Sequence, residues 1–170
     1  MRIASFPLAA ALSAIVLSGC AVSVNAPPSE KRAVSRTIVV PPTRQFEYDR
    51  FHYAPAVRVG DTVILSGVPA WKGATYAERV RNMFETVRMT LAAAGASMED
   101  VVEITTYHAG AKDTAAFRRE FDEFLAIHGE YFRRDYPAWT AVGNTSLLAD
   151  GAPVEMRVMA VIGAGRQREK

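Results

Sequence analysis

The sequence predicts a small α/β domain of the α+β kind, in which one mixed sheet has two helices packed on a single face. The first observation is the order of segments, since short β-branched runs and two long amphipathic runs follow one another as β, ββ, α, β, α, β, β. The second is that each long run has one apolar stripe that must be buried against the sheet. The third is length, because 170 residues hold one domain of ~100–150 residues and a tail.

The first strands are marked by β-branched residues and by the residues that end them. Residues 37–40 read Thr-Ile-Val-Val and stop at Pro41-Pro42. Residues 57–59 and 62–65 flank Gly60-Asp61, a dipeptide that suits a tight hairpin turn. We therefore expect one strand and then a β-hairpin.

The two helices have clear starts, apolar stripes and ends. Thr75 and Glu78 form the pattern of a capping box, and Gly95 stands where a helix commonly ends. The second helix is predicted to start near Asp113 and to stop at Gly129. Apolar residues recur at helical spacing: Val80, Met83, Phe84, Val87, Leu91 and Ala94 in the first helix, and Phe117, Phe121, Phe124 and Leu125 in the second.

Three further strands are predicted over residues 101–107, 139–145 and 154–162. Side chains of the last strand alternate between the two sheet faces: Val154, Met156, Val158, Ala160 and Ile162 point one way, and Glu155, Arg157, Met159 and Val161 the other. Both sets contain apolar residues, but the helices cover one face only. We therefore expect the second face to meet another subunit in a homo-oligomer.

The N-terminus has the features of an export signal. Met1-Arg2 precedes the apolar or small residues 3–17, a stretch of about fifteen residues, which is shorter than the ~20 needed to cross a bilayer but typical of a signal peptide. Leu17-Ser18-Gly19-Cys20 resembles the bacterial lipobox, in which the cysteine is lipidated and becomes the first residue. Cys20 is also the only cysteine. The alternative is an ordinary secretory peptide in which Cys20 is incidental.

These features divide the chain into four segments. Residues 1–19 are the predicted lipoprotein signal peptide, and residues 20–36 are the lipidated cysteine and a flexible tether. Residues 37–163 form the folded domain, and residues 164–170 form a polar tail. The expected location is the cell envelope, with the domain facing the periplasm. Ala21 is not the aspartate associated with inner-membrane retention, which weakly favours the outer membrane.

Charge and motif content exclude several classes of partner. Removing residues 1–19 takes away Arg2 alone, which leaves 19 Lys and Arg against 18 Asp and Glu. No long basic run occurs, so we expect no nucleic-acid partner. The three histidines His52, His108 and His128 are too scattered for a metal site. No phosphate-binding glycine-rich loop is present, and we expect no cofactor.

Five short motifs follow one another over residues 50–162. They are Tyr53-x-Pro-Ala-Val-Arg-Val-Gly60 with Val63-Ile64-Leu65-Ser66-Gly67, then Leu91-Ala-Ala-Ala-Gly95, then Asp100-Val101-Val102 before a Thr-Thr strand, then Pro137-Ala138, and last Val154-Glu155. In this order and spacing they resemble the RidA/YjgF family of the Rid superfamily. The resemblance implies a chorismate-mutase-like fold and a homotrimer with a small-molecule cleft between subunits. It also implies hydrolysis of enamines or imines, such as 2-aminoacrylate, to 2-oxo acids and ammonia.

The same resemblance assigns site residues. Tyr53 would line the cleft, while Glu155 and the backbone N–H of Ala141 would place the attacking water. The family has an arginine directly after the Pro-Ala pair, where it binds the substrate carboxylate, but Trp139 occupies that position here. An indole offers one N–H and a large apolar face, so it cannot replace a guanidinium. The family's acid two residues after the glutamate is replaced by Arg157.

Each of these residues has a structural alternative. Trp139 either floors a ligand pocket or packs at a subunit interface, and Tyr53 either lines the cleft or packs under the sheet edge. Glu155 either positions water or forms an ion pair with Arg157, which could instead act as a relocated carboxylate-binding group. The leading function is therefore deamination of a reactive imine or enamine, for which a substrate without a free carboxylate is one option. The alternative is a non-enzymatic module that binds a small ligand. RNA cleavage fits an exported, nearly neutral protein poorly.

Overall fold

A six-stranded sheet is the frame of the protein in a computed structural model, which describes residues 35–166. The strands are β1 (Arg36–Val39), β2 (Ala56–Val59), β3 (Thr62–Pro69), β4 (Val101–Ala109), β5 (Ala138–Asn144) and β6 (Val154–Val161). The helices are α1 (Gln45–Phe51), α2 (Tyr76–Ala93) and α3 (Thr114–Tyr131), with short 3₁₀ turns at Pro42–Arg44 and Met98–Asp100. The predicted signal peptide, Cys20, most of the tether and the end of the tail lie outside the described residues.

The sheet is mixed, as the sequence predicted. Its strand order is β1-β2-β3-β6-β4-β5. Every neighbouring pair is antiparallel except β4 and β5, which are parallel and joined through α3. A parallel pair needs such a crossover, because its strands start at the same end of the sheet. β6, the last strand in sequence, therefore lies in the middle of the sheet, between β3 and β4.

The ends of the long helices follow the predicted signals. The Thr75 hydroxyl accepts from the Glu78 amide at 3.2 Å, and the Glu78 carboxylate accepts from the Thr75 amide at 3.3 Å, so the capping box is confirmed. Gly95 follows α2 with φ +83°, a left-handed conformation that costs glycine little. Asp113 caps α3 by accepting from the Ala116 amide at 2.7 Å. α3 continues two residues beyond the predicted stop at Gly129.

The core lies between the sheet and the two long helices. The alternation predicted for β6 is confirmed, because Val154, Met156, Val158 and Ala160 are all at most 1 % exposed. Full burial of an aliphatic side chain stabilises the fold by ~1.5–3 kcal/mol. The opposite set, Glu155, Arg157, Met159 and Val161, is half-buried on the other face. That face therefore leaves apolar side chains open to solvent in a single chain.

α1 was not predicted from the sequence. It has seven residues, too few to show a helical repeat, and none of them is buried. It follows Pro41 and the 3₁₀ turn, and it exposes the aromatic rings of Phe46, Tyr48 and Phe51. β3 also runs further than predicted, to Pro69, and its register against β6 shifts between Leu65 and Val68. These two departures from the prediction meet at the same place in the fold.

Candidate functional site

A cavity of about 320 Å³ opens on the Glu155 side of the sheet, where α1, β3 and β6 meet. It combines carboxylates, aromatic rings and a stretch of exposed backbone in a small volume, at the lower end of the range for ligand pockets. Its lining consists of Glu47, Phe51, Tyr53, Ser66, Gly67, Pro69, Trp71, Leu148, Ala149, Asp150 and Glu155. Two of the predicted site residues, Tyr53 and Glu155, are therefore brought together by the fold.

The irregularity in β3 shapes the floor of this cavity. The register shift after Leu65 places Pro69 opposite Glu155 and leaves Ser66 and Gly67 unpaired with β6. Such bulges re-aim backbone groups and are common near functional sites. The Glu155 carboxylate lies directly on the Cα of Gly67, where a Cβ would overlap one carboxylate oxygen and lie 2.6 Å from the carboxyl carbon. Only glycine at position 67 leaves room for this orientation of Glu155.

Arg44 lies behind the cavity wall, and sequence reasoning missed it. It is 2 % exposed; its Nε donates to Glu47 Oε1 at 3.2 Å and its Nη2 donates to the Gly67 carbonyl at 3.2 Å. Its third nitrogen, Nη1, is buried without a hydrogen-bond partner among residues 35–166. An arginine after a proline pair carries no recognisable pattern. The only available signal was the run of aromatic residues after it, which a solvated loop would not favour.

Burial and the charge of Arg44 act in opposite directions on the two predicted site residues. Burial raises the pKa of the Glu155 carboxyl above its ordinary value, and the positive charge of Arg44 partly opposes this. Burial likewise raises the pKa of the Tyr53 hydroxyl, again opposed by Arg44. Glu155 is therefore a carboxyl group whose proton is held more tightly than usual, next to a buried cation. This suits a group that exchanges protons with a ligand.

Trp139 lies on the other side of the sheet. Its indole stacks on His128 with ring centres 4.6 Å apart and contacts Phe121 and Phe124 of α3, and its Nε1 donates to the Thr106 hydroxyl at 3.0 Å. The ring thus packs within its own subunit, on the helix-covered face, whereas Glu155 points to the opposite face. This packing within one chain differs from both roles considered for Trp139, namely the floor of a ligand pocket and a contact at a subunit interface.

Arg157 and Ala141 lie away from the cavity within one chain. The Arg157 guanidinium is 3.6 Å from Glu103 on the neighbouring strand β4. The ion pair considered between Glu155 and Arg157 is therefore not formed among the described residues, and Glu155 is free of it. Ala141 lies on the edge strand β5, paired with Thr106, so β4 separates it from β6.

A second polar cluster looks catalytic by residue type but is closed to substrate. His108 Nδ1 lies 3.1 Å from Glu120 and its Nε2 lies 2.9 Å from the Thr106 hydroxyl. Because Trp139 donates to the same hydroxyl, Thr106 can donate onward to Nε2, while Nδ1–H donates to the carboxylate. Thr106 and His108 are 0 % exposed, so the cluster ties β4 to α3 and does not form a reaction site.

Other candidate sites are weaker. Arg133 and Arg134 border an open depression of about 680 Å³ that shares no lining residue with the smaller cavity. Within the part of the chain that the structure describes, no three His, Cys, Asp or Glu side chains are grouped closely enough to hold a metal ion. Among residues 35–166, no helix combines the length and the apolar composition needed to cross a bilayer.

Comparison with known proteins gives matches that span the folded domain. A family model described as Endoribonuclease L-PSP matches residues 48–162. The RutC family protein YjgH of Escherichia coli is 33 % identical over 135 residues, which are 76 % of this chain and 97 % of that protein. A protein of Dermatophagoides farinae named 2-iminobutanoate/2-iminopropanoate deaminase is 31 % identical over 120 residues. The match covers 65 % of this chain and 85 % of that protein.

Solved structures agree with the sequence matches. The structure of protein YJGH superposes with a TM-score of 0.64 at 32 % identity, covering 75 % of this chain and 96 % of its own. Rv2704 of Mycobacterium tuberculosis, described as a member of the YjgF/YER057c/UK114 family, has a TM-score of 0.62 at 30 % identity. It covers 75 % of this chain and 100 % of its own. These neighbours confirm the mixed α+β, chorismate-mutase-like fold.

Proposed function

Because the chain belongs to the RidA/YjgF family, we propose that it hydrolyses small imines or enamines in the cavity beside Tyr53 and Glu155. The observation that carries this proposal is the placement of Glu155. Its carboxyl is half-buried, holds its proton tightly, and rests on bare backbone at Gly67 next to open cavity space. The relative named as a 2-iminobutanoate/2-iminopropanoate deaminase supports the same class of reaction.

The chemistry asks for one group that can both give and take a proton. In imine hydrolysis a water oxygen bonds to the C=N carbon, the nitrogen takes up a proton, and the water loses one. The resulting carbinolamine then breaks its C–N bond, which releases ammonia and leaves a carbonyl group. Glu155 can accept the proton of the attacking water and return it to the departing nitrogen. A carboxyl with a raised pKa is suited to this exchange near neutral pH.

Assembly as a homotrimer would complete the site. The face that bears Glu155, Met159 and Val161 is not covered by the long helices, and its half-buried apolar residues favour contact with another subunit. Ala141 lies on an edge strand, too far along the sheet to reach Glu155 of the same chain. A cleft between subunits would bring the Ala141 N–H of one chain towards the Tyr53 and Glu155 of another. Sedimentation should therefore give a trimer, and a monomer at micromolar concentration would contradict the cleft.

The lipobox at Cys20 supports a lipid-anchored protein of the cell envelope, with its domain towards the periplasm. The thioether-linked and N-linked chains implied by that motif would anchor it stably, whereas one acyl chain alone binds only marginally. The proposed segments remain the signal peptide 1–19, the lipidated tether 20–36, the domain 37–163 and the tail 164–170.

A non-enzymatic ligand-binding module is the second candidate. It is favoured by one observation, namely that no Lys, Arg or His lines the cavity among the described residues, so the family's carboxylate-binding group has no counterpart at its surface. Trp139, which occupies that group's place in sequence, faces α3 instead. We therefore expect little hydrolysis of 2-iminopropanoate or 2-iminobutanoate. A binder and a hydrolase differ in turnover, which makes them separable in one assay.

The test is ammonia release by the full-length protein in detergent, from imines generated in place by an oxidase and compared with their free hydrolysis. Glu155→Gln keeps the shape of the side chain and removes its proton exchange, so the acceleration should fall by about 10²–10⁴. Asp122→Asn on the exposed face of α3 removes a comparable charge and is the matched control. Full activity in Glu155→Gln would refute the assignment. Saturable binding without turnover would favour the binding module. Cleavage of an RNA substrate would favour the ribonuclease activity that the sequence analysis considered.

A further inference from the structure

We infer that the cavity selects an imine or amine that carries no carboxylate, is neutral or cationic, and has an aromatic or apolar body. The inference rests on the proposed function for the reaction but on separate observations for the ligand. These are the sign of the charges around the cavity, the rings in its wall, and the composition of the strand that a trimer would add.

The charges around the cavity disfavour an anion. Three carboxylates line it, Glu47, Asp150 and Glu155, and among the described residues the lining includes no basic side chain. Arg44 is close by, but it lies behind the wall and already donates to Glu47. Because Arg44 is 2 % exposed and does not line the cavity, a substrate carboxylate could reach its guanidinium only by opening the wall, and it would do so beside Glu155. Like charges at this range in a partly dry cavity repel strongly.

The trimer proposed above would not reverse this balance through β5. Residues Ala138–Asn144 read Ala-Trp-Thr-Ala-Val-Gly-Asn, without a charged side chain. If the cleft brings β5 of one subunit against the cavity of another, the added wall is therefore neutral. The family's carboxylate-binding arginine belongs to this same strand by sequence, so its loss changes the charge of the site as well as one contact.

The rings in the wall favour a cation with an apolar body. Phe51 and Tyr53 are nearly parallel, with ring centres 6.4 Å apart and 9° between their planes, and Trp71 is 51 % exposed at the cavity. Leu148 is 86 % exposed there, and Pro69 adds a further apolar surface. Ring faces attract ammonium and iminium groups, and their apolar area takes up a phenyl or alkyl group. The volume of about 320 Å³ accommodates a ligand with one ring.

Two matched probes test the charge preference by calorimetry with the full-length protein in detergent. Phenethylammonium and 3-phenylpropanoate share a phenyl ring and a two-carbon chain and differ in the charge at its end. We expect the cation to bind at least tenfold more tightly. Asp150→Asn, which removes an exposed wall carboxylate, should weaken the cation about threefold to tenfold and strengthen the anion. Asp122→Asn on α3 is the control and should change neither. Equal or tighter binding of 3-phenylpropanoate, or no saturation by either probe up to about 10 mM, would overturn the inference.

A second pair of compounds separates this inference from the proposed hydrolysis. An amine oxidase converts phenethylamine, and an amino-acid oxidase converts phenylalanine, into imines that differ by one carboxylate. We expect the protein to accelerate hydrolysis of the first at least tenfold more than that of the second. Faster turnover of the carboxylate-bearing imine would keep the hydrolase and overturn the ligand class. The expected binding preference with no acceleration of either imine would keep the ligand class and remove the hydrolase.

Discussion

Arg44→Met tests whether the buried guanidinium holds the cavity together. The change keeps a long, mostly apolar side chain but removes the charge and both hydrogen bonds. The hydrogen bonds that Arg44 donates to Glu47 and to the Gly67 carbonyl, both 3.2 Å long in the unsubstituted protein, are then lost. The Glu47 side chain is only 13 % exposed, so its carboxylate is left without its partner in a mostly dry environment. The perturbation therefore acts on α1 and on the β3 bulge together.

The expected loss in the free energy of unfolding is about 3 kcal/mol. Breaking one side of a buried ion pair costs ~3–5 kcal/mol, and the partial exposure of Glu47 favours the lower end. Loss of the donor to the Gly67 carbonyl adds about 1 kcal/mol. Removal of the unpartnered Nη1 nitrogen returns a similar amount. For a domain of this size the loss corresponds to a Tm lower by roughly 10 °C.

Urea unfolding of matched variants gives the measurement. Arg88→Met removes a guanidinium from an exposed pair with Glu85, whose two side chains are 57 % and 42 % exposed, and should cost less than about 1 kcal/mol. The double variant Arg44→Met/Glu47→Leu removes the stranded carboxylate and should recover ~1–2 kcal/mol of the single loss. A loss for Arg44→Met within about 0.5 kcal/mol of that for Arg88→Met would refute the reasoning, because the buried pair would then behave like a surface pair.

Three further predictions address other parts of the chain. In Gly67→Ala the new Cβ must push the Glu155 carboxylate aside, so kcat for imine hydrolysis should fall at least tenfold. The free energy of unfolding, measured with urea, should change by less than about 2 kcal/mol. An unchanged kcat would contradict the contact between Gly67 and Glu155. Burial lowers the pKa of His128 below its ordinary 6.5, so the unfolded chain binds that proton first as pH falls. As pH falls from about 7.5 to 5.5, the free energy of unfolding of the unsubstituted protein should therefore decrease more than that of His128→Phe. Equal decreases in the two proteins would disprove this role of His128. Cys20→Ser should abolish incorporation of radiolabelled fatty acid, and labelled protein would rule out the lipobox.

The surroundings of Trp139 determine what an arginine at this position would do. From the sequence, Trp139→Arg restores the family's carboxylate-binding group. In the structure this side chain lies between Phe121, Phe124 and His128, with its N–H on Thr106. A guanidinium there would be placed among aromatic rings on the far side of the sheet from Glu155. The substitution should then lower stability without improving turnover.

Local patterns in the sequence were sufficient for most of the fold. The capping box at Thr75 and Glu78, the hairpin turn at Gly60-Asp61 and the alternation along β6 each depend on neighbours a few residues away. Such features depend only on the residues of a short segment, so they can be predicted without knowing where the segment lies in the fold. The family motifs then fixed how these segments are arranged. Tyr53 and Glu155 were predicted as site residues because they belong to those motifs, and the fold places both at one cavity.

Tertiary structure decided three features that the sequence did not predict. These are the burial of Arg44, the ion-pair partner of Arg157 and the face of the sheet on which Trp139 packs. Arg44 becomes buried because a seven-residue helix and a bulge in β3, 23 residues further along the chain, close around it. Arg157 pairs with Glu103 because β4 runs beside β6. Charged and aromatic side chains are long enough to reach several neighbours, and their free energy depends on which neighbour displaces water from them. The neighbours Gly67, Glu103 and Thr106 come from distant parts of the sequence, so no local pattern indicates these contacts.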